Sequence, residues 1–168
     1  MVLASYAIGL RRMDDPIALW GGIHESWRTL NVVCMFVSAL GFLIVFQQLL
    51  FGWEVSVVES VGWPWSGDVV DGGHQRLLLA FLLVLIPSML WLELTSIHIR
   101  SDSAWTQWAV IACLWLVVAG NVLLILFGWN AWQSGDSGTS ILPLVGASML
   151  AIQVIINDGI LWVWKYPW

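Results

Sequence analysis

Basic residues are scarce in this chain: six lysines and arginines stand against eleven aspartates and glutamates in 168 residues. Lys165 is the sole lysine. No basic stripe exists to neutralise a phosphate backbone, which argues against nucleic acid as a partner. Cysteine is just as sparse. Cys34 and Cys113 match no metal or redox spacing. Each falls in an apolar run, where a small polarizable side chain reads as filler. A nucleophile elbow, a phosphate loop and a His-Glu metal helix are all missing, so no catalytic residue and no metal ligand is assigned. A secretory leader is not expected either, because the apolar residues 1–10 precede Arg11 and Arg12, the reverse of a leader's order.

Apolar sequence takes the place of all this. The chain is 60% apolar and 10% charged, far outside soluble averages. Four windows have the roughly 20 residues that an α-helix needs to cross a bilayer core. They predict spans at about 30–51, 77–99, 106–128 and 141–163. No segment between them is long enough for a soluble core of its own. The expected fold is therefore an all-α integral membrane protein. Its four-helix transmembrane bundle (30–163) follows a short amphipathic segment (1–29) and precedes a tail (164–168). The first segment mixes Arg11, Arg12, Asp14, Asp15, Glu25 and Arg28 with Trp20 and Trp27. It is expected to lie along the membrane surface. Pro16 after two aspartates marks a break or a helix start. In the longest connection, Gly62-Trp63-Pro64-Trp65-Ser66-Gly67 reads as a turn with aromatic anchors.

Tryptophan and charge supply the orientation. Trp20, Trp27, Trp105, Trp108, Trp162, Trp164 and Trp168 fall near one interface, and Trp53, Trp63, Trp65, Trp129 and Trp132 near the other. Only Trp91 and Trp115 fall within spans. Indole favours the headgroup zone, so this distribution reads as two belts. Arg11, Arg12, Arg28, Arg100 and Lys165 share one side while Arg76 is alone on the other. That bias places both termini in the cytoplasm. The opposite loops are acidic, holding Glu54, Glu59, Asp68, Asp71 and Asp136.

The second predicted span carries a proline at its middle, Pro87, and an acid, Glu93. A carboxylate near the bilayer centre costs roughly 2.5–3.5 kcal/mol on insertion scales, so Glu93 is expected to face protein or water. Asp158 in the fourth span lies at a similar depth, roughly 8–9 Å inside the boundary at 1.5 Å per residue. Contact between the two acids, or a shared partner, is geometrically open. Arg100 and Lys165 each follow their acid by seven residues on the same helical face. Two readings stand: a pair that handles protons or cations, and two interfacial acids solvated or hydrogen-bonded in the bundle. In span four, helical periodicity puts Ala147, Ala151 and Asp158 on one face and Gly146, Gln153 and Asn157 on a neighbouring one. Small residues permit close approach and amides bond across it, so both faces read as packing seams, with a ligand site as the alternative. Pro87 is expected to kink its span, with Ser88 at hand to satisfy freed backbone groups. Asn121 is the one strongly polar residue inside span three. His24 and His98 both fall near the terminal side and could meet, whereas His74 and His98 sit at opposite ends of one helix and could not clasp one haem.

The residues His98-Ile99-Arg100-Ser101-Asp102 after span two, with four spans and an N-in layout, resemble the small membrane subunit of TRAP transporters. The chain departs from that pattern by lacking an acidic, aromatic segment just before span two. The resemblance implies a transporter component.

Three functions are carried forward as expectations. One is a non-catalytic subunit of a larger membrane complex, supplying packing and assembly surfaces, with the bilayer and other membrane subunits or further copies as partners. Another is a small transporter or channel component using Glu93 and Asp158. The last is a haem- or pigment-binding subunit, although no cofactor is assigned. Candidate functional residues are Glu93, Asp158, His98, Arg100, Asn157 and Gln153.

Overall fold

The computed structural model describes residues 2–13, 15–63, 73–101, 103–135 and 138–168. Asp14, Asp102, Asp136 and the part of the tryptophan-proline turn from Pro64 onward, with Asp68 and Asp71, lie outside the described residues. Among the described residues the secondary structure is all helical, and four helices are long and apolar enough to cross a membrane. The chain therefore forms an all-α bundle of the multi-pass membrane type.

The elements are α1 (Val2–Arg12), α2 (Glu25–Gly52), α3 (Val55–Ser60), α4 (Gly73–Ser101), α5 (Ala104–Ser134) and α6 (Leu142–Lys165). The four long ones have 28, 29, 31 and 24 residues. At 1.5 Å per residue they are about 36–47 Å long, so each outruns the hydrocarbon core and reaches into the headgroup zones. That is why every helix extends past its apolar window. The ends are set by local chemistry. Asp15 accepts from the Ile17 amide at 2.9 Å and, with Pro16, opens a 3-10 turn over Pro16–Trp20. His24 Nδ1 accepts from the Ser26 amide and caps α2. Gly135 ends α5 with φ at +65°, a left-handed conformation that favours glycine.

Packing inside lipid depends on close backbone approach, because lipid tails are as apolar as leucine. Helix α5 packs most extensively on α4, and α2 on α6, with α6 also against α5. Gly41 of α2 and Gly146 of α6 meet face to face. A Cβ on either would come within 2.5–2.6 Å of the other's carbonyl oxygen. Gly120 of α5 plays the same part against Ala80 and Leu83 of α4. Around these contacts Val45, Leu49, Phe81, Val84, Leu124, Phe127, Leu150 and Val154 form the main core. A second cluster of Ile23, Val110, Leu114, Trp162 and Tyr166 closes the end that carries both termini.

Helix α1 packs against α4. Tyr6 Oη accepts from Trp91 Nε1, Gly9 touches Leu92, and Arg100 donates to the Arg12 carbonyl at 2.9 Å. The matched order of these contacts shows α1 following the terminal half of α4 in the same direction. Near Pro87, the Ser88 hydroxyl makes no hydrogen bond among the described residues; Cys113 of α5 donates its thiol to the Pro87 carbonyl at 3.0 Å instead.

Candidate functional site: a polar network at a widened turn

Ser38 of α2 is 3% exposed and stands where α6 would otherwise close an ordinary α-helical rung. Its hydroxyl donates to the Met149 carbonyl at 2.9 Å and accepts from the Gln153 amide at 3.2 Å. Residues 149 and 153 are the i and i+4 partners of an α-helix, so the Ser38 oxygen is inserted into the ladder. From Ile152 to Trp162, α6 runs as a π-helix. Such segments are rare and usually one turn long, and they widen the spacing of residues that stack.

The widened turn decides what the polar side chains do. At 3.6 residues per turn Asp158 would point about 140° away from Gln153. With i→i+5 spacing it comes nearly above it, and Gln153 Nε2 donates to Asp158 Oδ1 at 2.8 Å. The same nitrogen donates to Asn31 Oδ1 of α2 at 3.1 Å, and Asn157 Nδ2 donates back to Gln153 Oε1 at 3.1 Å. Gln153 is thus the hub, with both amide protons and its oxygen engaged, and Asn31 and Gln153 are buried. The expected division of span four into an Ala147–Asp158 face and a Gly146–Gln153–Asn157 face does not survive the π geometry. Gln153, Asn157 and Asp158 form one network, while Gly146 and Ala147 stay buried in the helix contacts. Asn31 and Ser38 are the members that sequence reasoning missed. Each is a single polar residue in an otherwise apolar window, which is a weak but readable signal.

Burial pushes the Tyr6 phenol up to about 12, partly offset by its bond from Trp91.

The two intramembrane acids are separated. Glu93 is exposed on the outer face of α4, among Leu82, Ile86 and Leu90, and has no hydrogen bond or ion pair among the described residues. It faces neither its own bundle nor Asp158, so of the arrangements left open the two acids make no contact. Arg100 is turned to the Arg12 carbonyl instead of toward Glu93. Asn121 is fully buried and donates to the Ala147 carbonyl at 3.0 Å, while its Oδ1 has no partner among the described residues. The histidines are engaged apart: His24 caps α2, and His98 is bonded through Nδ1 to Thr106 Oγ1 at 2.8 Å. Among the described residues no group of three His, Cys, Asp or Glu side chains could hold a metal ion.

No family model matches the chain, and neither the curated proteins nor the solved structures yield a match.

Proposed function

We propose that this protein is a non-catalytic subunit of a larger membrane complex and that it docks through the outer face of α4. One observation carries the reading: Glu93 is an exposed carboxylate within a span, set among exposed leucine and isoleucine. An ionisable group at membrane depth needs a partner, and the described residues supply none. A second copy related by an axis along the membrane normal would bring like depths together, setting Glu93 against Glu93. The fitting occupant is a transmembrane helix of another subunit that presents a cation or hydrogen-bond donor at that depth.

The test is the size of the native assembly, read on blue native gels of gently solubilised membranes. The parent should migrate well above the single chain. Glu93→Lys should collapse the assembly, and Glu93→Gln, which keeps shape and hydrogen bonding, should retain much of it. A parent that migrates as the single chain, or a Glu93→Lys variant that migrates with the parent, would overturn the proposal.

A second reading, a small transporter or channel component, is supported by the Asp158 network. A carboxylate held by Gln153 within the bundle is the group that a proton- or cation-handling protein would use. It is tested by Asp158→Asn, which keeps the shape of the network and removes the titrating group. Loss of ion-dependent flux in proteoliposomes with the bundle intact would favour it; no flux by the parent would exclude it.

A further inference from the structure

At the end of the bundle that carries both termini, a cleft of about 420 Å³ opens between Ala18, Gly21, His98, Ile99, Tyr166 and Pro167. Two of its lining residues are more than nine-tenths buried and still hold an unused polar atom: His98 is 6% exposed and Tyr166 8%. The hydrogen bonds around His98 fix which atom that is. Thr106 spends its only hydroxyl proton on the Ser103 carbonyl, so its oxygen can only accept from His98. Nδ1 of the neutral imidazole therefore carries the proton, and Nε2 keeps a bare lone pair. Among the described residues neither Nε2 nor the Tyr166 hydroxyl has a partner, both atoms keep some solvent access, and both residues line the cleft. Burial raises the Tyr166 phenol above its ordinary value, which keeps it a donor at neutral pH.

The cleft thus offers a side-chain acceptor and a side-chain donor beside alanine, isoleucine and proline, with backbone polar groups making up the rest of its polar wall. Among the described residues no charged side chain lines it. An anionic head would meet the Nε2 lone pair with no cation to offset it. A neutral hydroxyl group suits both atoms, donating to Nε2 and accepting from Tyr166. The site also sits where α4 and α6 end, at the end of the bundle where Trp105, Trp108 and Trp164 are exposed. We infer that this cleft binds the neutral, hydroxyl-bearing head of a membrane amphiphile, with Nε2 of His98 and the hydroxyl of Tyr166 as its polar contacts. A quinol ring and a diacylglycerol head share this chemistry.

The experiment uses the full chain in phosphatidylcholine nanodiscs, titrated calorimetrically with decylbenzoquinol and, separately, with dioctanoylglycerol. Binding of one probe alone identifies the source, and binding of both assigns the shared head. The oxidised quinone lacks the donating hydroxyl and should bind more weakly than the quinol. Tyr166→Phe removes one hydrogen bond and keeps the ring, so affinity should fall about three- to tenfold. His98→Phe removes the acceptor and should lower it at least as far. Ile99→Trp, at a partly exposed position, should fill the cleft and abolish binding. Each variant is first matched to the parent by circular dichroism and melting; should His98→Phe fail to fold, Tyr166→Phe and Ile99→Trp still decide. Failure of both probes to bind the parent would overturn the inference. So would affinities left unchanged in Tyr166→Phe and Ile99→Trp.

Discussion

At the scale of single residues, the smallest side chains carry the largest structural demand. The Gly41–Gly146 contact brings two backbones together where a methyl group would meet a carbonyl oxygen rather than a flexible side chain. Gly41→Ala should overpack the α2–α6 crossing and cost about 1–3 kcal/mol, as in soluble cores. Gly52→Ala is the control, since its nearest neighbour would lie at 3.5 Å, an ordinary contact. Steric-trap unfolding in bicelles should separate the two; equal stabilities would mean the crossing is looser than its geometry. The tyrosines supply a second residue-scale test, because both of the chain's two are raised by burial. A phenol whose folded pKa lies above its unfolded value of about 10 adds stability that is complete below pH 10. That stability is lost as pH rises through the folded value, about 12 for Tyr6. Absorbance at 295 nm should show both tyrosines ionising later than a free phenol in the folded protein, and a Tyr6→Phe variant should lose the step near pH 12. A full two-tyrosine transition near pH 10 would count against the docked position of α1.

At the scale of elements, α6 shows why sequence reasoning reached part of the site and stopped. The apolar windows marked all four spans because hydropathy and length are local properties. Gly146 and the amides of span four were visible for the same reason. Their grouping was not, because it depends on a turn widened by a residue 111 positions away, Ser38. A period of 3.6 residues, applied uniformly, assigns Asp158 to the wrong face. Glu93 was left open in another way. The rule that a membrane acid faces protein is sound, but one sequence cannot say whether that protein is its own chain. The role of Ser38 can be tested directly. Ser38→Ala removes the inserted oxygen and should let Met149 and Gln153 close an ordinary rung, turning Asp158 away from Gln153. Hydrogen exchange at the Gln153 amide should then slow or hold steady while stability falls by about 1 kcal/mol as the network disperses. Faster exchange there, with no change in network stability, would show that the widened turn stands without Ser38.

At the scale of the whole molecule, four crossings and the tie between the chain's two ends make one argument. An even number of spans returns the chain to its starting side. The contacts agree: the Gly22 amide donates to the Lys165 carbonyl at 3.1 Å, and Trp162 Nε1 donates to the Leu19 carbonyl at 2.8 Å. Arg11, Arg12, Arg28, Arg100 and Lys165 gather at this end, with Arg76 at the other beside Trp63. Because lysine and arginine near span ends are retained on the cytoplasmic side, this end is expected to face the cytoplasm. Ser101 and Ser56 are exposed at the two ends and serve as reporters. The native cysteines lie within α2 and α5, half-buried and buried, so they add little background. In intact cells a membrane-impermeant maleimide should label Ser56→Cys and spare Ser101→Cys until the membrane is opened. Labelling of Ser101→Cys alone would invert the orientation while leaving the bundle unchanged. Labelling of both from outside would be more damaging, because no four-span bundle with its two ends tied at Gly22 and Lys165 can expose both loops to one compartment.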